Sequence, residues 1–356
     1  MLALAAPWLL GFAYHKRARN SVFLVDLAGL AASLLTEPKK CNTPLYDITL
    51  MIKGEHSALP CVIPVLNITI MANTASYQKT FRLGGDLNIN RLGYGAMRIT
   101  GDGIWGPPKD HDAAISVLKR AVELGVNFID TADSYGPNVS EELIAEALYP
   151  YADGLVIGTK GGLLRTGPNE WPVDSSPAHL KEALDGSLKR LKLEQIELYQ
   201  LHRIDPKVPA EETFAFLKQA QQEGKIKHIG LSEVSVDDIK KAQEFFEVVS
   251  VQNMYSIDNR KWEEVLQYTK EHNIAFIPWY PLGGGNVKAQ ETLERIAQSK
   301  GATVHQIALS WLLHHAENIL LIPGTSSVAH LEDNMKAADI ELTENDMQEL
   351  ESVSQG

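Results

Sequence analysis

Asn127 to Gly136 reads NFIDTADSYG, a stretch in which the apolar pair Phe128 and Ile129 gives way to Asp, Thr, Asp, Ser and Gly. The first half has the composition of a short buried strand and the second that of a loop, so polar groups stand where a strand stops. Asp130 occupies that edge and Tyr135 lies five residues on. They are a carboxylate and a phenol, groups that take and give protons, at a spacing that returns the hydroxyl over the strand end. Alone, the pair means little. A loop Asp capping the helix that follows, with a Tyr packed on the rim, accounts for it equally well.

Similar strand ends recur along the chain. The apolar run Leu155 to Thr159 stops at Lys160, Leu198 to Leu201 at His202, and His228 to Leu231 at Ser232. Val248 to Val251 stops at Gln252, Ala275 to Pro278 at Trp279, and Leu320 to Pro323 at Gly324. Helical patterns separate these runs: His111 to Leu124, Glu141 to Leu148, His179 to Leu191, Ala210 to Glu223, Val236 to Phe246 and Trp262 to His272. Four more span Ala289 to Lys300, Val304 to His315, Val328 to Ala338 and Glu344 to Val353. Repeated βα units of this kind predict a parallel sheet whose C-terminal strand ends face one way. The expectation is an α/β protein, a (β/α)8 TIM barrel, with Asp130, Lys160, His202, Ser232, Gln252 and Trp279 gathered on one face.

Length and composition agree with this. A barrel of about 250 residues fits the span from Arg91 to Ala338 as one unit. With 44% hydrophobic residues the chain can bury a large core, and a net charge of -12 argues against a nucleic-acid surface. Cys41 and Cys61 are too few and too far apart for a zinc framework or disulfide scaffold, so no metal is expected. Thr80 to Leu83 and Leu87 to Asn90 flank Gly84-Gly85-Asp86, a hairpin signal that would close the barrel bottom.

The first 70 residues differ in kind. Leu2 to Phe12 is too short to span a bilayer, its basic cluster His15 to Arg19 follows rather than precedes it, and Ser21 to Leu35 is interrupted by Asp26. From Met71 the sequence restarts as MANTASYQKTFRLGG. Residues 1 to 70 are therefore expected to be a poorly ordered extension outside the folded domain, either upstream of a start at Met71 or an organelle-targeting segment. Residues 71 to 356 form the barrel. Gly101-Asp102-Gly103-Ile104-Trp105-Gly106 formally matches the G-x-G-x-x-G dinucleotide fingerprint, but Pro107 and Pro108 follow where a helix would have to open. The stretch reads better as a loop over the site, with Trp105 as a lid residue.

From about Thr80 onward the chain resembles an aldo-keto reductase. The family pattern of a Tyr with Asp, Lys and His around it is matched by Asp130 and Tyr135 in DTADSYG, Lys160 in IGTKGG and His202 in LYQLHRID. The resemblance implies NADPH-dependent reduction of small aldehydes or ketones, with NADH as the other possible donor. Tyr135 is the implied general acid, Lys160 the cation that lowers its pKa, and Asp130 the group that keeps Lys160 protonated. His202 would direct the carbonyl and stabilise the developing oxyanion.

The implied cofactor contacts are Ser232, Gln252 and Trp279, with Glu233 standing where the family usually has Asn. Leu282 and Gly284 lie in the glycine run after Trp279, and Gly324, Thr325, Ser326, His330, Asp333 and Asn334 complete the set. Position 324 lacks the family's Lys for a 2′-phosphate, leaving hydroxyls and helix amides to hold the anion. Met97, Trp105 and Tyr255 are the expected pocket residues. The chain ends soon after its last helix, which implies an open pocket, and its layout resembles bacterial and plant-type members including pyridoxal reductases. The expected setting is cytoplasmic, as a monomer or weak oligomer acting on a small carbonyl, with no nucleic-acid or membrane partner. Two other classes remain at this point: a binding module like the potassium-channel β subunits, which share this fold, and a Rossmann dehydrogenase built on the 101 to 106 glycines.

Overall fold

The computed structural model describes residues 47–48, 68–69, 77–281 and 287–353, and the chain divides into two compact units, Met1–Ile70 and Met71–Gly356. Within the first, β1 (Asp47–Ile48) and β2 (Ile68–Thr69) pair antiparallel. The remainder of the expected extension lies outside the described residues.

In the second unit, β3 (Thr80–Leu83) and β4 (Leu87–Asn90) form the expected hairpin, turning through Gly84 and Gly85 at φ of +58° and +79°, which glycine adopts without a Cβ clash. Alternation sends Phe81, Leu83 and Ile89 inward. There they pack with Phe128, Val156, Leu198, Ala275 and Leu320, so the hairpin is continuous with the barrel interior.

Seven strands follow in strict sequence order, all parallel: β5 (Tyr94–Gly95), β6 (Phe128–Asp130), β7 (Val156–Gly161), β8 (Ile196–Leu201), β9 (Ile226–Ser232), β10 (Val248–Gln252) and β11 (Ala275–Phe276). Ile319 to Ile322 takes the eighth place. It joins the sheet through single bridges, Phe276 with Ile319 and Leu92 with Leu321, and through bonds from Gly93 N and Leu320 N of 2.7 and 2.9 Å to Leu321 O and Phe276 O. The expected eighth strand is thus present in position but not as a full ladder, because Pro323 has no N–H to contribute. Pro278 truncates β11 for the same reason.

The closing seam is tight and internally bonded. A Cβ at Gly95 would lie 2.6 Å from Ile322 O, and one at Gly324 would lie 2.6 Å from Gly95 O. Arg91, 1% exposed, donates to the carbonyls of Ile319 at 2.8 Å, Leu313 at 2.9 Å and Gln78 at 3.0 Å. Its burial pulls the guanidinium down to about 10. Through its bond to Ile319 O, this residue just before the first strand is tied to the start of the last one.

The helices follow as α1 (His111–Glu123), α2 (Val139–Leu148), α3 (Pro177–Leu191), α4 (Ala210–Gln222), α5 (Val236–Gln243), α6 (Glu263–Glu271), α7 (Val287–Lys300), α8 (Val304–His315), α9 (Val328–Met335) and α10 (Glu344–Val353). Asp110 caps α1 by accepting from Ala113 N at 2.9 Å, an interaction worth about 1 kcal/mol. Helix α1 therefore begins after Pro107 and Pro108, and no helix opens at Gly106, so the Rossmann alternative lacks its required element. Helix α5 ends earlier than the expected Phe246. Phe245 and Phe246 turn inward instead, to 5.8 and 5.9 Å from the Phe214 ring.

Candidate active site

Parallel order brings the C-terminal strand ends together. Asp130 ends β6, Ser232 ends β9 and Gln252 ends β10, while His202 immediately follows β8. Lys160 lies inside β7 rather than beyond it, since the strand continues to Gly161. Its Nζ, fully buried, donates to Asp130 Oδ2 at 2.6 Å and to Thr131 O at 2.8 Å, and stands 3.5 Å from the Tyr135 hydroxyl. The second carboxylate oxygen of Asp130 accepts from Gln252 Nε2 at 2.8 Å and from Gln200 Nε2 at 3.1 Å. The His202 ring lies edge-on to Tyr135 with centroids 5.9 Å apart. All four expected residues are thus within one small buried cluster.

Burial governs the proton affinities here. Removal from water pulls the Lys160 ammonium down, but Asp130 and Tyr135 more than offset it and the net direction is up, keeping the charge. Burial raises the Tyr135 phenol, and the opposing pull of Lys160 does not cancel it. The net direction is therefore opposite to the lowering that the resemblance implies. A phenol so placed holds its proton at neutral pH. His202 is well below the ordinary imidazole value because burial, then Lys160 and Arg203, oppose a second positive charge. It is neutral, with one N–H to donate.

Three residues at this end of the barrel escaped the sequence reading. Arg165 packs its guanidinium 3.6 Å from the centroid of Trp171 and 5.5 Å from that of Trp105. Trp171 in turn sets its ring edge-on to Tyr135 at 6.4 Å. Arg203 donates to Ser232 Oγ at 3.0 Å. Nothing in a sequence marks these contacts, because Arg165 bonds to backbone carbonyls and the rings meet across loops. Trp105, half-buried, bridges Gly136 in parallel, beside the turn that carries Tyr135.

The expected cofactor residues are placed as follows. Ser232 Oγ donates to Gln252 O at 2.8 Å, and the Gln252 side chain is turned to Asp130, to which its Nε2 donates at 2.8 Å. Glu233 anchors Trp279, accepting from its Nε1 at 2.8 Å and from Met254 N at 2.6 Å. Thr325 and Ser326 line a cleft of about 590 Å³ with Gly324, Arg98, Lys109 and the 100–104 loop. Arg98 brings to that cleft the cation that position 324 lacks. His330 is exposed on α9, and Asn334 is half-buried there. Asp333 is occupied in part by Gln306, whose Nε2 donates to its carboxylate at 2.9 Å. Leu282 and Gly284 lie outside the described residues. A serine and a glutamine at adjacent strand ends, an indole and a cation-bearing cleft with hydroxyls fit a nicotinamide dinucleotide.

Of the expected pocket residues, Met97 is half-buried in the short 3-10 turn Ala96–Ile99. Tyr255 is a correction. Its ring is fully buried between Phe276 at 5.5 Å and Trp311 at 6.5 Å, and its hydroxyl is engaged by Glu263 at 2.5 Å and His315 at 2.9 Å. It is a core residue with no face left for a ligand.

Fold and site together define the class: a closed parallel barrel whose strand ends gather a phenol, an ammonium–carboxylate pair and a neutral imidazole. The chain belongs to the aldo/keto reductase family, whose model matches residues 91–355. Its members are oxidoreductases of carbonyl compounds. The chain is 55% identical over 260 residues to an uncharacterized oxidoreductase of Schizosaccharomyces pombe, covering 73% of this chain and 85% of that one. It is 44% identical over 281 residues to pyridoxine 4-dehydrogenase of Escherichia coli, covering 77% and 98%. A thermostable aldo-keto reductase solved with the inhibitor epalrestat superposes with a TM-score of 0.69 at 31% identity, covering 78% and 99%.

Proposed function

We propose that the protein reduces small aldehydes to alcohols with NADPH, Tyr135 delivering the proton to the carbonyl oxygen. The observation that carries this is the Lys160 ammonium, bonded to Asp130 at 2.6 Å and 3.5 Å from the Tyr135 hydroxyl. Bound NADPH supplies the hydride. Gln252 and Ser232 would hold its carboxamide, Trp279 would cover one ring face, and Arg98, Thr325 and Ser326 would take its phosphates. As negative charge develops on the substrate oxygen, the neutral His202 N–H and the phenol O–H stabilise it. Proton transfer leaves a phenolate beside Lys160, whose charge favours that product most at the moment it forms.

Similarity to pyridoxine 4-dehydrogenase supports an aromatic aldehyde such as pyridoxal among possible substrates, and two half-buried tryptophans near Tyr135 suit a flat ring. The gathering of all four side chains in one buried cluster also favours turnover over a purely structural role of the channel-subunit kind.

Tyr135→Phe removes the acid and leaves the ring. Reduction of pyridoxal and of a panel of small aldehydes, followed by NADPH oxidation, should fall by about 100-fold or more, while NADPH still quenches tryptophan fluorescence. Near-normal turnover in this variant would overturn the mechanism.

A further inference from the structure

Arg165 lies four residues beyond the end of β7, in the loop that leads to α3. Its donors all go to main-chain carbonyls: Nε to Glu170 at 2.9 Å, Nη1 to Ile104 at 2.6 Å and Ser134 at 2.8 Å, Nη2 to Gly103 at 3.0 Å and Gly167 at 3.2 Å. These acceptors belong to three separate strand-end loops, those following β5, β6 and β7. No carboxylate pairs with the guanidinium among the described residues. With its fork committed to the backbone, it has little left to offer a substrate anion.

The backbone it holds is strained. Ile104 has φ of +55°, a left-handed conformation that a β-branched residue adopts at a cost of about 1–3 kcal/mol. Such strain persists only where the surroundings over-determine it. Ile104 O accepts from both Arg165 Nη1 and, at 3.3 Å, Gly136 N, while Gly106 N donates to Gly136 O at 2.5 Å. Ser134, whose carbonyl Arg165 also holds, is the residue immediately before Tyr135. The glycine-rich stretch that mimics a dinucleotide fingerprint is therefore bonded to the turn of the proposed acid.

We propose that Arg165 is a positioning residue: it ties the three loops together, fixes the Tyr135 phenol against Lys160, and holds Trp105 and Trp171 as walls of the substrate entrance. This rests on the reading of Tyr135 as proton donor. Lysine cannot substitute, because a single ammonium cannot span carbonyls on three loops or stack on Trp171 as a planar guanidinium does.

The test compares Arg165→Gln, Arg165→Lys and Tyr135→Phe in the full chain. For Arg165→Gln the expected result is a fall in kcat of about 10- to 100-fold, similar for uncharged and anionic aldehydes, with NADPH affinity by fluorescence titration nearly unchanged. The basic limb of the kcat–pH profile should move, since the phenol no longer keeps its place beside Lys160. Arg165→Lys should restore charge and much of the stability but not the pH profile or kcat, and it alone decides the matter if the Gln variant does not fold. Wild-type kcat and pH profile in Arg165→Lys would overturn the role of Arg165 even with Tyr135→Phe inactive. An active Tyr135→Phe would instead overturn the reading beneath it.

Discussion

Asp133, two residues before Tyr135, is 6% exposed, and its Oδ1 has no partner among the described residues. Burial first, and then the nearby Glu141 carboxylate, raise its pKa from 3.8 to about 8. A carboxyl whose folded value is raised stabilises fully below its unfolded value, and that contribution is lost as pH rises through the folded one. Stability should therefore decline from about pH 4 to about pH 8 on account of this residue. Asp133→Asn, which cannot ionise, should flatten that decline and raise Tm most at the alkaline end. Parallel Tm–pH curves for variant and wild type would remove Asp133 from the account. At this same scale the gathering of Asp130, Tyr135, Lys160 and His202 was legible, because their types are unusual at strand ends. Arg165 was not, since backbone carbonyls carry no sequence signal. Glu233 was legible only as a departure, and its bond to Trp279 gives it a positive task. Tyr255 misled because a tyrosine just past a strand end reads alike whether its ring faces a pocket or the core.

At the scale of elements, the strands and helices were legible to within a few residues where periodicity is long, as in α8 and α10, whose bounds match the expectation. The eighth strand was legible only in part, because Pro323 deletes a donor and leaves bridges in place of a ladder. That seam also presents the cleft between the 3-10 turn bearing Arg98 and the residues Gly324, Thr325 and Ser326. Its glycines let β5 and the last strand approach closely, and Arg98 thereby comes to stand beside the hydroxyls where the family's Lys is missing. Removing the cation with Arg98→Ala should weaken NADPH binding by about 10-fold, the scale of one lost charge-assisted contact. NADH affinity should change little if Arg98 grips the 2′-phosphate, and should fall equally if it grips the diphosphate. Titrating both dinucleotides separates these, and an unchanged affinity for each would take Arg98 out of the site.

At the scale of the molecule, all eight barrel positions are filled from within residues 91–322. Neither β1 nor β2 belongs to the seven-stranded sheet or to the hairpin. They pair with one another inside the unit that ends at Ile70. A barrel closed on itself has no edge left for another strand to join. The residues that place the site are also internal to the second unit: Arg91 at the seam, the hairpin core from Phe81 to Ile89, and the loops gathered by Arg165. The change in sequence pattern at Met71 falls at the boundary between the two units. A protein beginning at Met71 should therefore unfold at the same temperature as the full chain and reduce aldehydes with the same kcat and KM. The comparison needs only thermal melts and NADPH-oxidation rates on the two forms side by side. A drop of several degrees in Tm, or a clear loss of turnover, would show that residues 1–70 brace the barrel by side-chain packing, and the division into an independent catalytic unit would fail.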